Sequence, residues 1–474
     1  MIQQLLKKFG TKETVRGGLI GAGAYGTAIV TQSMAVDGLV MCVVADVSSE
    51  KAKKAYEEAG ISEELMVYCK EVEEAENAIR DGKFVYTDQS SIVGLIPSVD
   101  IICESTGIPE ESAKQAVNAI KNKKHIAMVT KDCDACIGPV LKKMADDAGV
   151  IYTPVDGDQH GLLIQIVEWA KSIGLDVICA GKATDGEFVY DEKAHTVSIH
   201  TDKKVSAPYQ RSVNIEENSK KYFDMIPEGK TEEYINKRRE ALKKLPPPGS
   251  YDLCEMVIAA NYTGLKPAVD TLYHAPLRIT EIPVAYNREE NGGLLKDNNI
   301  IDLVTCLHTP SEAGLGGGVF MVVKCDNAYS NYILTTKGQV ANYDNSAAVI
   351  YRPYHLCGVE TPYTLLVAGK LGINTASAEY YPHYDVVRVA EEDIKAGETF
   401  GNDHSTKTSA RIVPASVLKA DNPIEAHLLS GNRAKVDIPK GTVITAAMVE
   451  EPEDSVLWNL RRKQDEFFLS DKQV

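Results

Sequence analysis

Residues 15–26 read VRGGLIGAGAYG, a short apolar strand that leads into a glycine-rich turn and then into a helix-compatible stretch over residues 27–35. The spacing Gly21-Ala22-Gly23-Ala24-Tyr25-Gly26 is the GxGxxG fingerprint of dinucleotide-binding βαβ units. Gly21 allows the tight turn, Gly23 lets backbone N–H groups approach a pyrophosphate, and Gly26 lets helix and strand pack closely. We therefore expect Gly21, Gly23, Ala24, Tyr25 and Gly26 to contact a nicotinamide dinucleotide.

The second half of the fingerprint follows at the expected distance. An apolar run at residues 39–45 ends at Asp46, twenty residues beyond Gly26. An acid at this position accepts a hydrogen bond from the adenosine ribose 2′-OH and repels a 2′-phosphate, which favours NAD. Ser48, Ser49 and Lys51 would bind a 2′-phosphate if the acid turned away, so NADP stays open.

Composition excludes several classes of protein. The chain has 474 residues, of which 44% are hydrophobic and 25% charged, as in ordinary globular proteins of two or three domains. Acids outnumber bases 67 to 51, for a formal charge of −16, which disfavours nucleic acid and anionic membranes as partners. No apolar run is long enough to span a membrane and the first residues lack a signal-peptide pattern, so we expect a cytoplasmic protein.

Strands alternate with helices over the first third of the chain. Strand-like runs at residues 84–86, 99–103, 126–129 and 150–153 are separated by helical stretches at 109–121 and 131–149. This alternation predicts an α/β fold with a doubly wound parallel sheet, which binds ligands at the carboxyl ends of its strands. Beyond Pro154 we predict a helix at 162–172, a strand at 177–182, a hairpin over 187–201 and a strand at 319–323.

The tail contains a short repeat. Residues 390–397 (AEEDIKAG) and 434–441 (AKVDIPKG) share the pattern AxxDIxxG at an offset of 44 residues. Two copies of one turn-rich unit predict a small β domain folded about a pseudo-dyad.

These motifs together resemble the homoserine-dehydrogenase-like oxidoreductases, and more closely their deoxyxylulose-phosphate-reductoisomerase-like (DRL) branch, which carries a C-terminal SAF domain. The motifs that carry the resemblance are GLIGAGAYG, VDIICESTGIPE, MVTKDCDA, YTPVDGDQHG, DLCEMVIAANYTGL, YRPYHLCGVETP and AKVDIPKGTVIT. The resemblance implies a Rossmann domain (residues 1–153), an α/β catalytic and dimerisation domain (154–378) and a SAF-like β domain (379–474). It also implies a homodimer and an NADPH-type reductive role.

The implied activity is NAD(P)-dependent oxidation or reduction of a small polar hydroxy or oxo substrate. A sugar acid or sugar phosphate fits this class, and a reductoisomerase resembling the 1-deoxy-D-xylulose 5-phosphate enzyme is its most specific form. A homoserine dehydrogenase would be expected to have a Thr-Ala-Asn-Lys turn, of which only Thr130-Lys131 remains here. Homoserine dehydrogenation is therefore kept as the alternative activity. A second alternative is an NAD(P)-sensing protein without turnover.

Two strand ends supply candidates near the nicotinamide. In related dehydrogenases the segment corresponding to Glu104-Ser105-Thr106-Gly107 passes close to the nicotinamide, so we assign it to cofactor contact. Glu104 has the alternative of a carboxylate that caps the following helix. Lys131 follows the next strand, and the resemblance places the lysine of this turn in the active site; the alternative is a solvated lysine at a helix start.

Asp156, Asp158 and His160 alternate in a glycine-containing loop after another strand. Such a loop can present two carboxylates and an imidazole as acid–base groups or as ligands of a divalent cation. A turn rich in Asp and Gly also needs no function. No other set of residues has metal-ligand spacing, and the single CxxC at Cys133 and Cys136 lacks a second pair. We therefore assign no metal site.

Lys182 follows a further predicted strand and could neutralise a phosphate or carboxylate of the substrate. Asp252 and Glu255 lie one turn apart at the start of an apolar helix, where acids are also common for reasons of the helix dipole. Arg352 and His355 belong to the most family-specific motif, and either substrate contact or an interface role fits them.

Overall fold

The computed structural model describes residues 2–201, 203–205, 207–247, 249–401 and 405–470. These residues form two compact units. Residues within 1–161, 356–410 and 414–474 make up the first, and residues within 162–355 and 411–413 make up the second. The predicted division into three continuous domains, 1–153, 154–378 and 379–474, has other boundaries than these two units and stays a prediction.

A parallel sheet forms the centre of the first unit. Its strands are β1 (Val15–Ile20), β2 (Leu39–Ala45), β3 (Met66–Tyr68), β4 (Phe84–Thr87), β5 (Ile101–Glu104), β6 (His125–Met128) and β7 (Tyr152–Pro154). They lie in the order β3-β4-β2-β1-β5-β6-β7, and every pair is parallel. The helices between them are α1 (Ile2–Phe9), α2 (Ala24–Ser33), α3 (Ser49–Glu58), α4 (Val72–Arg80), α5 (Ser90–Val93), α6 (Pro109–Lys121) and α7 (Lys131–Ala148).

This topology confirms the predicted doubly wound α/β fold. The strand order reverses between β1 and β5, and ligands of such sheets bind at the reversal, beyond the carboxyl ends of the strands. The sequence pattern predicts α6 over the residues it occupies and misses β3, a partly exposed edge strand of 3 residues.

The second unit is built on a mixed sheet of 10 strands. They are β8 (Asp176–Ala183), β9 (Glu187–Asp191), β10 (Thr196–His200), β11 (Ser212–Asn214), β12 (Lys266–Pro267), β13 (Ala275–Leu277), β14 (Ile300–His308), β15 (Val319–Lys324), β16 (Val340–Ala341) and β17 (Ala348–Arg352). The main order is β11-β10-β9-β14-β8-β15-β17-β16, with β12 and β13 also paired to β14. The predicted hairpin is present as the antiparallel pair β9 and β10.

Helices α9 (Thr231–Leu242), α10 (Ser250–Thr263), α11 (Ile282–Ala285) and α12 (Ala328–Thr336) belong to this second unit, and α8 (Gln159–Ser172) starts in the first unit and continues into it. Strand β14 is buried along nearly its whole length. It is the strand that pairs with β8, β9, β12 and β13, so the sheet is organised around it.

The rest of the chain contains α13 (Thr361–Leu366), β18 (Tyr384–Ala390), β19 (Thr408–Pro414) and α14 (Val456–Phe468). Here the two AxxDIxxG copies pair with each other. Gly397 N–H donates to the carbonyl of Ala434, and Gly441 N–H donates to that of Ala390, both at 2.7 Å. Such reciprocal bonds are those of a pseudo-dyad, as the repeat predicts. Among the described residues, no helix combines the length and apolar character needed to cross a membrane.

Candidate functional site

The glycine loop between β1 and α2 is tight at two of its glycines and open at the third. Gly21 has φ +99°, and a Cβ there would lie 2.3 Å from the carbonyl oxygen of Ser105. A Cβ on Gly26 would lie 2.2 Å from the carbonyl oxygen of Gly21. A Cβ on Gly23 would meet no atom within 4 Å. The loop therefore holds its own shape through Gly21 and Gly26 and leaves space at Gly23, next to Ala24 and Tyr25 at the start of α2.

Asp46, directly after β2, bonds to this loop. Its Oδ2 accepts a hydrogen bond of 2.9 Å from Ala22 N–H, and its Oδ1 accepts one of 3.0 Å from Ser48 N–H. The carboxylate is thus held toward the glycine loop and is not turned away from it. Each oxygen retains a lone pair for a further donor, such as a ribose hydroxyl.

The segment after β5 is hydrogen-bonded to the end of β1 on one side and to the turn after β6 on the other. Ser105 N–H donates to the carbonyl of Ile20 at 2.8 Å, and Gly107 N–H donates to Thr130 Oγ1 at 2.9 Å. Ser105 and Thr106 are half-buried, whereas Gly107 is exposed. These bonds connect three strand ends in one row.

Glu104 is fully buried within this segment. Its Oε1 accepts hydrogen bonds from Thr106 N–H at 2.9 Å and Thr106 Oγ1 at 2.6 Å. Burial raises the pKa of the carboxyl, and the bonds from Thr106, Thr130 and Ser112 act in the opposite direction. Glu104 thus bonds within the turn before α6, whose N-cap Ile108 has no side-chain cap; the assignment of Glu104 to cofactor contact stays a prediction.

Lys131 is the first residue of α7 and is half-buried. Thr130 precedes it at the N-cap and receives the bond from Gly107 described above. Lys131 therefore lies at a strand end of the sheet, where the sequence predicts it.

The Asp156–His160 loop after β7 is anchored by α13. Thr364 Oγ1 donates to Asp156 Oδ2 at 2.6 Å and accepts from Asp156 N–H at 2.8 Å, while Thr361 Oγ1 donates to the carbonyl of Asp156 at 2.9 Å. Asp158 Oδ1 lies 3.7 Å from His160 Nδ1, and all three acid–base candidates are buried. Asp156 and Asp158 thus lie on the loop, whereas His160, predicted on the same loop, lies in the first turn of α8 beside Asp158.

Tyr25 connects this loop to the glycine fingerprint. Its hydroxyl lies 3.4 Å from Thr361 Oγ1. Burial raises the pKa of Tyr25 well above its usual range, and the negative charge of Asp158 raises it further. The phenol is therefore a neutral donor at physiological pH, placed where the nucleotide loop and the acidic loop meet.

The sequence reasoning missed Asp134, in the first turn of α7. The residue is fully buried, and its Oδ1 accepts hydrogen bonds from the hydroxyls of Tyr152 at 2.8 Å and Tyr380 at 3.0 Å. Burial raises the pKa of Asp134 to about 7, against the effect of the two tyrosines and with a contribution from Asp158. The only sequence signal was its place in the MVTKDCDA motif; the partners lie far away along the chain.

The Cys133 and Cys136 thiols, in the same helix, are buried, and burial raises the pKa of each well above its usual range. Both are free cysteines.

Lys182 lies in the second unit, on β8, and is fully buried. Its Nζ lies 2.7 Å from Asp252 Oδ1 and also bonds to Glu255 Oε2. Two carboxylates thus lie against the one ammonium, and the assignment of Lys182 to a substrate anion stays a prediction. Asp252 and Glu255, left open by sequence reasoning, are its partners, and Asp252 Oδ2 also accepts from Gly249 N–H at 2.8 Å.

Charged groups continue beyond this cluster in the same unit. The carboxyl of Asp185 has a lowered pKa although burial acts to raise it, because Lys182, Lys203 and His355 lie near. His355 packs against the glycine-rich turn, where a Cβ on Gly317 would lie 2.6 Å from its Nδ1. Arg352 stacks over the ring of Tyr354 at 4.7 Å. The predicted site residues therefore fall into two groups, one in each unit.

Two family models match the chain. Residues 245–361 match the model described as "Oxidoreductase DRL, catalytic domain", and residues 386–450 match the SAF domain. These two segments are therefore similar to a DRL-type oxidoreductase catalytic domain and to a SAF domain, which confirms the predicted resemblance. Asp252, Glu255, Arg352 and His355 lie within the first matched segment, and the AxxDIxxG repeat lies within the second. No curated protein matches the sequence.

Several solved structures resemble part of the chain. An NAD-binding protein from Listeria innocua has 16% identity over 39% of this chain and 48% of its own, with a TM-score of 0.25. Biliverdin reductase from Synechocystis sp. PCC 6803, in complex with biliverdin and NADP+, has 15% identity over 38% of this chain and 48% of its own, with a TM-score of 0.24. An oxidoreductase from Agrobacterium radiobacter, in complex with NAD+, L-tartaric acid and magnesium, has 12% identity over 38% and 46%, with a TM-score of 0.28. The chain spans about half the length of each.

Proposed function

We propose that the protein is an NAD(P)-dependent oxidoreductase that acts on a small polar substrate with hydroxyl and carbonyl groups, such as a sugar acid or sugar phosphate. The observation that carries this proposal is the glycine loop, which is packed at Gly21 and Gly26, open at Gly23 and bonded to the carboxylate of Asp46. The DRL-type catalytic domain agrees with it.

The geometry of Asp46 favours NAD over NADP. Ala22 N–H and Ser48 N–H hold its carboxylate toward the loop. A 2′-phosphate next to this carboxylate would bring two like charges together, whereas a 2′-OH would donate to it. The Ser48 hydroxyl also caps the N-terminus of α3, where it accepts a hydrogen bond from Lys51 N–H.

The acid–base work falls to side chains at the strand ends of the first unit. A bound nicotinamide supplies the hydride acceptor or donor for the substrate carbon. When a carbinol is oxidised, its C–H bond breaks as hydride leaves, and the hydroxyl proton must pass to a base; reduction reverses both transfers. Lys131 and the loop of Asp156 and Asp158 are the groups we assign to that proton, with the Tyr25 hydroxyl as a neutral hydrogen-bond donor.

Parallel calorimetric titrations with NADH and NADPH test the cofactor assignment. We expect NADH to bind more tightly, and Asp46→Asn to weaken NADH about tenfold or more, because a charge-assisted hydrogen bond is lost. Asp81→Asn, at an exposed helix end outside the loop, is the matched control and should change neither titration. Absence of binding by both nucleotides would overturn the proposal, and tighter binding of NADPH would overturn the preference for NAD.

Turnover is then measured with a panel of sugar acids, sugar phosphates and homoserine, with and without Mg²⁺. Reduction of NAD(P)+ or oxidation of NAD(P)H with a sugar-derived substrate supports the proposal. A requirement for Mg²⁺ would favour a reductoisomerase reaction in which Asp156 and Asp158 hold the cation. Turnover of homoserine alone would instead establish the alternative substrate, and nucleotide binding without any turnover would favour the sensor.

A further inference from the structure

A cavity of about 740 Å³ lies entirely within the second unit. None of its lining residues belongs to the nucleotide loop or to the proton-handling candidates of the proposed function. Volumes of this size are typical of sites for small molecules. The cavity therefore has the dimensions of a separate ligand site.

The walls of the cavity are apolar. Phe188 and Leu242 line it together with Leu245 and Pro246. Phe188, Leu242 and Leu245 belong to one cluster of the hydrophobic core, so their side chains are held in place from behind. A rigid apolar wall of this kind favours a ring or another compact hydrocarbon group over a flexible polar chain.

Two polar residues of the lining, His274 and Thr305, bond to each other; we call this pair the floor of the cavity. His274 Nε2 lies 2.6 Å from Thr305 Oγ1, and both residues line the cavity. Burial lowers the pKa of His274 to about 4, so the imidazole is neutral at physiological pH. The floor can therefore exchange hydrogen bonds with a ligand without contributing charge.

The turn that presents His274 is strained and held by a buried carboxylate. Leu272 and His274 have φ values of +58° and +44°, in the left-handed region that residues other than glycine rarely adopt. Asp302 accepts hydrogen bonds of 2.9 Å from the backbone N–H groups of Tyr273 and His274. Strain of this kind persists where the surroundings enforce it, and it clusters at ligand sites.

A cation lies at the mouth. Arg239 lines the cavity, is exposed, and donates to two neutral acceptors, the carbonyl of Tyr273 and Asn236 Oδ1. Within the described part of the chain no carboxylate pairs with Arg239, so some of its five N–H groups are available for an anion. Lys243 also lines the mouth but is paired with Glu240. The lining thus combines apolar side chains with the guanidinium of Arg239, and its one carboxylate, that of Asp270, lies 3.9 Å from Arg411 Nε.

We propose that this cavity binds a small amphipathic anion, with an apolar ring between the walls and a carboxylate or similar group at Arg239. The residues that line it differ from those assigned to the dinucleotide and to hydride transfer. Tight binding requires both the apolar walls and Arg239, so we expect a neutral ring and a simple inorganic anion each to bind weakly.

Calorimetry with three probes tests the proposal: 1-naphthoate, its uncharged analogue 1-naphthalenemethanol, and inorganic phosphate. We expect 1-naphthoate to bind saturably at one site, the alcohol to bind at least tenfold more weakly and phosphate not to bind. Arg239→Gln should weaken 1-naphthoate about tenfold, and Val269→Trp, which fills the mouth, should abolish its binding. Lys237→Gln, on the same helix but outside the lining, should leave it unchanged.

Two results would overturn the proposal. One is the absence of saturable 1-naphthoate binding by the unaltered protein. The other is equal binding by the unaltered protein and the Val269→Trp variant, which would place the probe elsewhere. Unchanged melting temperatures and NADH titrations show that each variant is folded, so a loss of 1-naphthoate binding reports on the cavity itself.

Discussion

Thr364 both donates a hydrogen bond to the side chain of Asp156, at 2.6 Å, and accepts one from its backbone N–H, at 2.8 Å. Because Asp156 is buried, this single hydroxyl satisfies two of its polar groups at once. The contact joins the loop after β7 to α13, and so joins the predicted acid–base residues to the segment after the YRPYHL motif.

Thr364→Val should therefore destabilise the protein by about 1–3 kcal/mol, because it removes two hydrogen bonds of the buried Asp156 at nearly constant volume. Thr364→Ser retains the hydroxyl and should recover most of that loss. Denaturant unfolding monitored by fluorescence measures the difference. Equal stability of the two variants would contradict the role given to this hydroxyl.

The glycine loop offers a pair of substitutions with opposite expectations. Gly23→Ala adds a Cβ that meets no atom, so the melting temperature should stay near that of the unaltered protein while NADH affinity falls at least tenfold. Gly26→Ala adds a Cβ 2.2 Å from a backbone oxygen and should lower stability by about 2 kcal/mol or more. Thermal melting and NADH calorimetry check both. Retained NADH affinity in Gly23→Ala would argue against a pyrophosphate at this position.

Lys131→Ala should lower kcat about 100-fold or more while NADH affinity stays unchanged, because we assign this lysine to the substrate proton and not to the nucleotide. Lys143→Ala, at a half-buried lysine that pairs with Asp147 on the same helix, is the control and should keep full activity. Steady-state kinetics with the substrate found in the panel measures the effect. Normal turnover by Lys131→Ala would remove this residue from the mechanism.

Asp134 should make stability depend on pH. Its pKa is about 7 in the folded protein against an ordinary value of 3.8, so between these values the folded state binds a proton that the unfolded state has lost. The contribution of Asp134 to stability therefore falls as pH rises from about 4 to about 7 and is constant above. The melting temperature of the Asp134→Asn variant should fall less between pH 5 and pH 8 than that of the unaltered protein. Parallel curves for the two proteins would show that Asp134 ionises normally.

Breaking the buried cluster of Lys182, Asp252 and Glu255 should lower the free energy of unfolding. Lys182→Met leaves two buried carboxylates without their cation, and we expect a loss of about 3–5 kcal/mol in unfolding free energy. Lys182→Met combined with Glu255→Gln removes one of those charges and should recover part of the loss. Denaturant unfolding of the single and double variants gives the coupling. If the single variant is fully stable, the cluster does not hold the second unit together.

Parts of the fold were predictable because their signals are local. The glycine spacing and the acid twenty residues later mark β1, α2 and β2, and hydrophobic periodicity marks α6 and α7. Strand β14 gave no such signal: it is buried along nearly all of its length, so its sequence lacks the alternation that reveals a half-exposed strand. The edge strand β3 was too short and too exposed to stand out.

The sequence by itself determined the Rossmann fingerprint, the acid that faces it, the two-copy tail and the residue types available at each strand end, because all of these are encoded in short spacings. Only the tertiary structure decided what those residues contact. It placed Lys182 beside the carboxylates of Asp252 and Glu255, and it enclosed Glu104 within its own turn. Burial in the folded chain raised the pKa of Asp134, against the effect of the hydrogen bonds from Tyr152 and Tyr380, since burial and charge pairing depend on groups far apart in the chain.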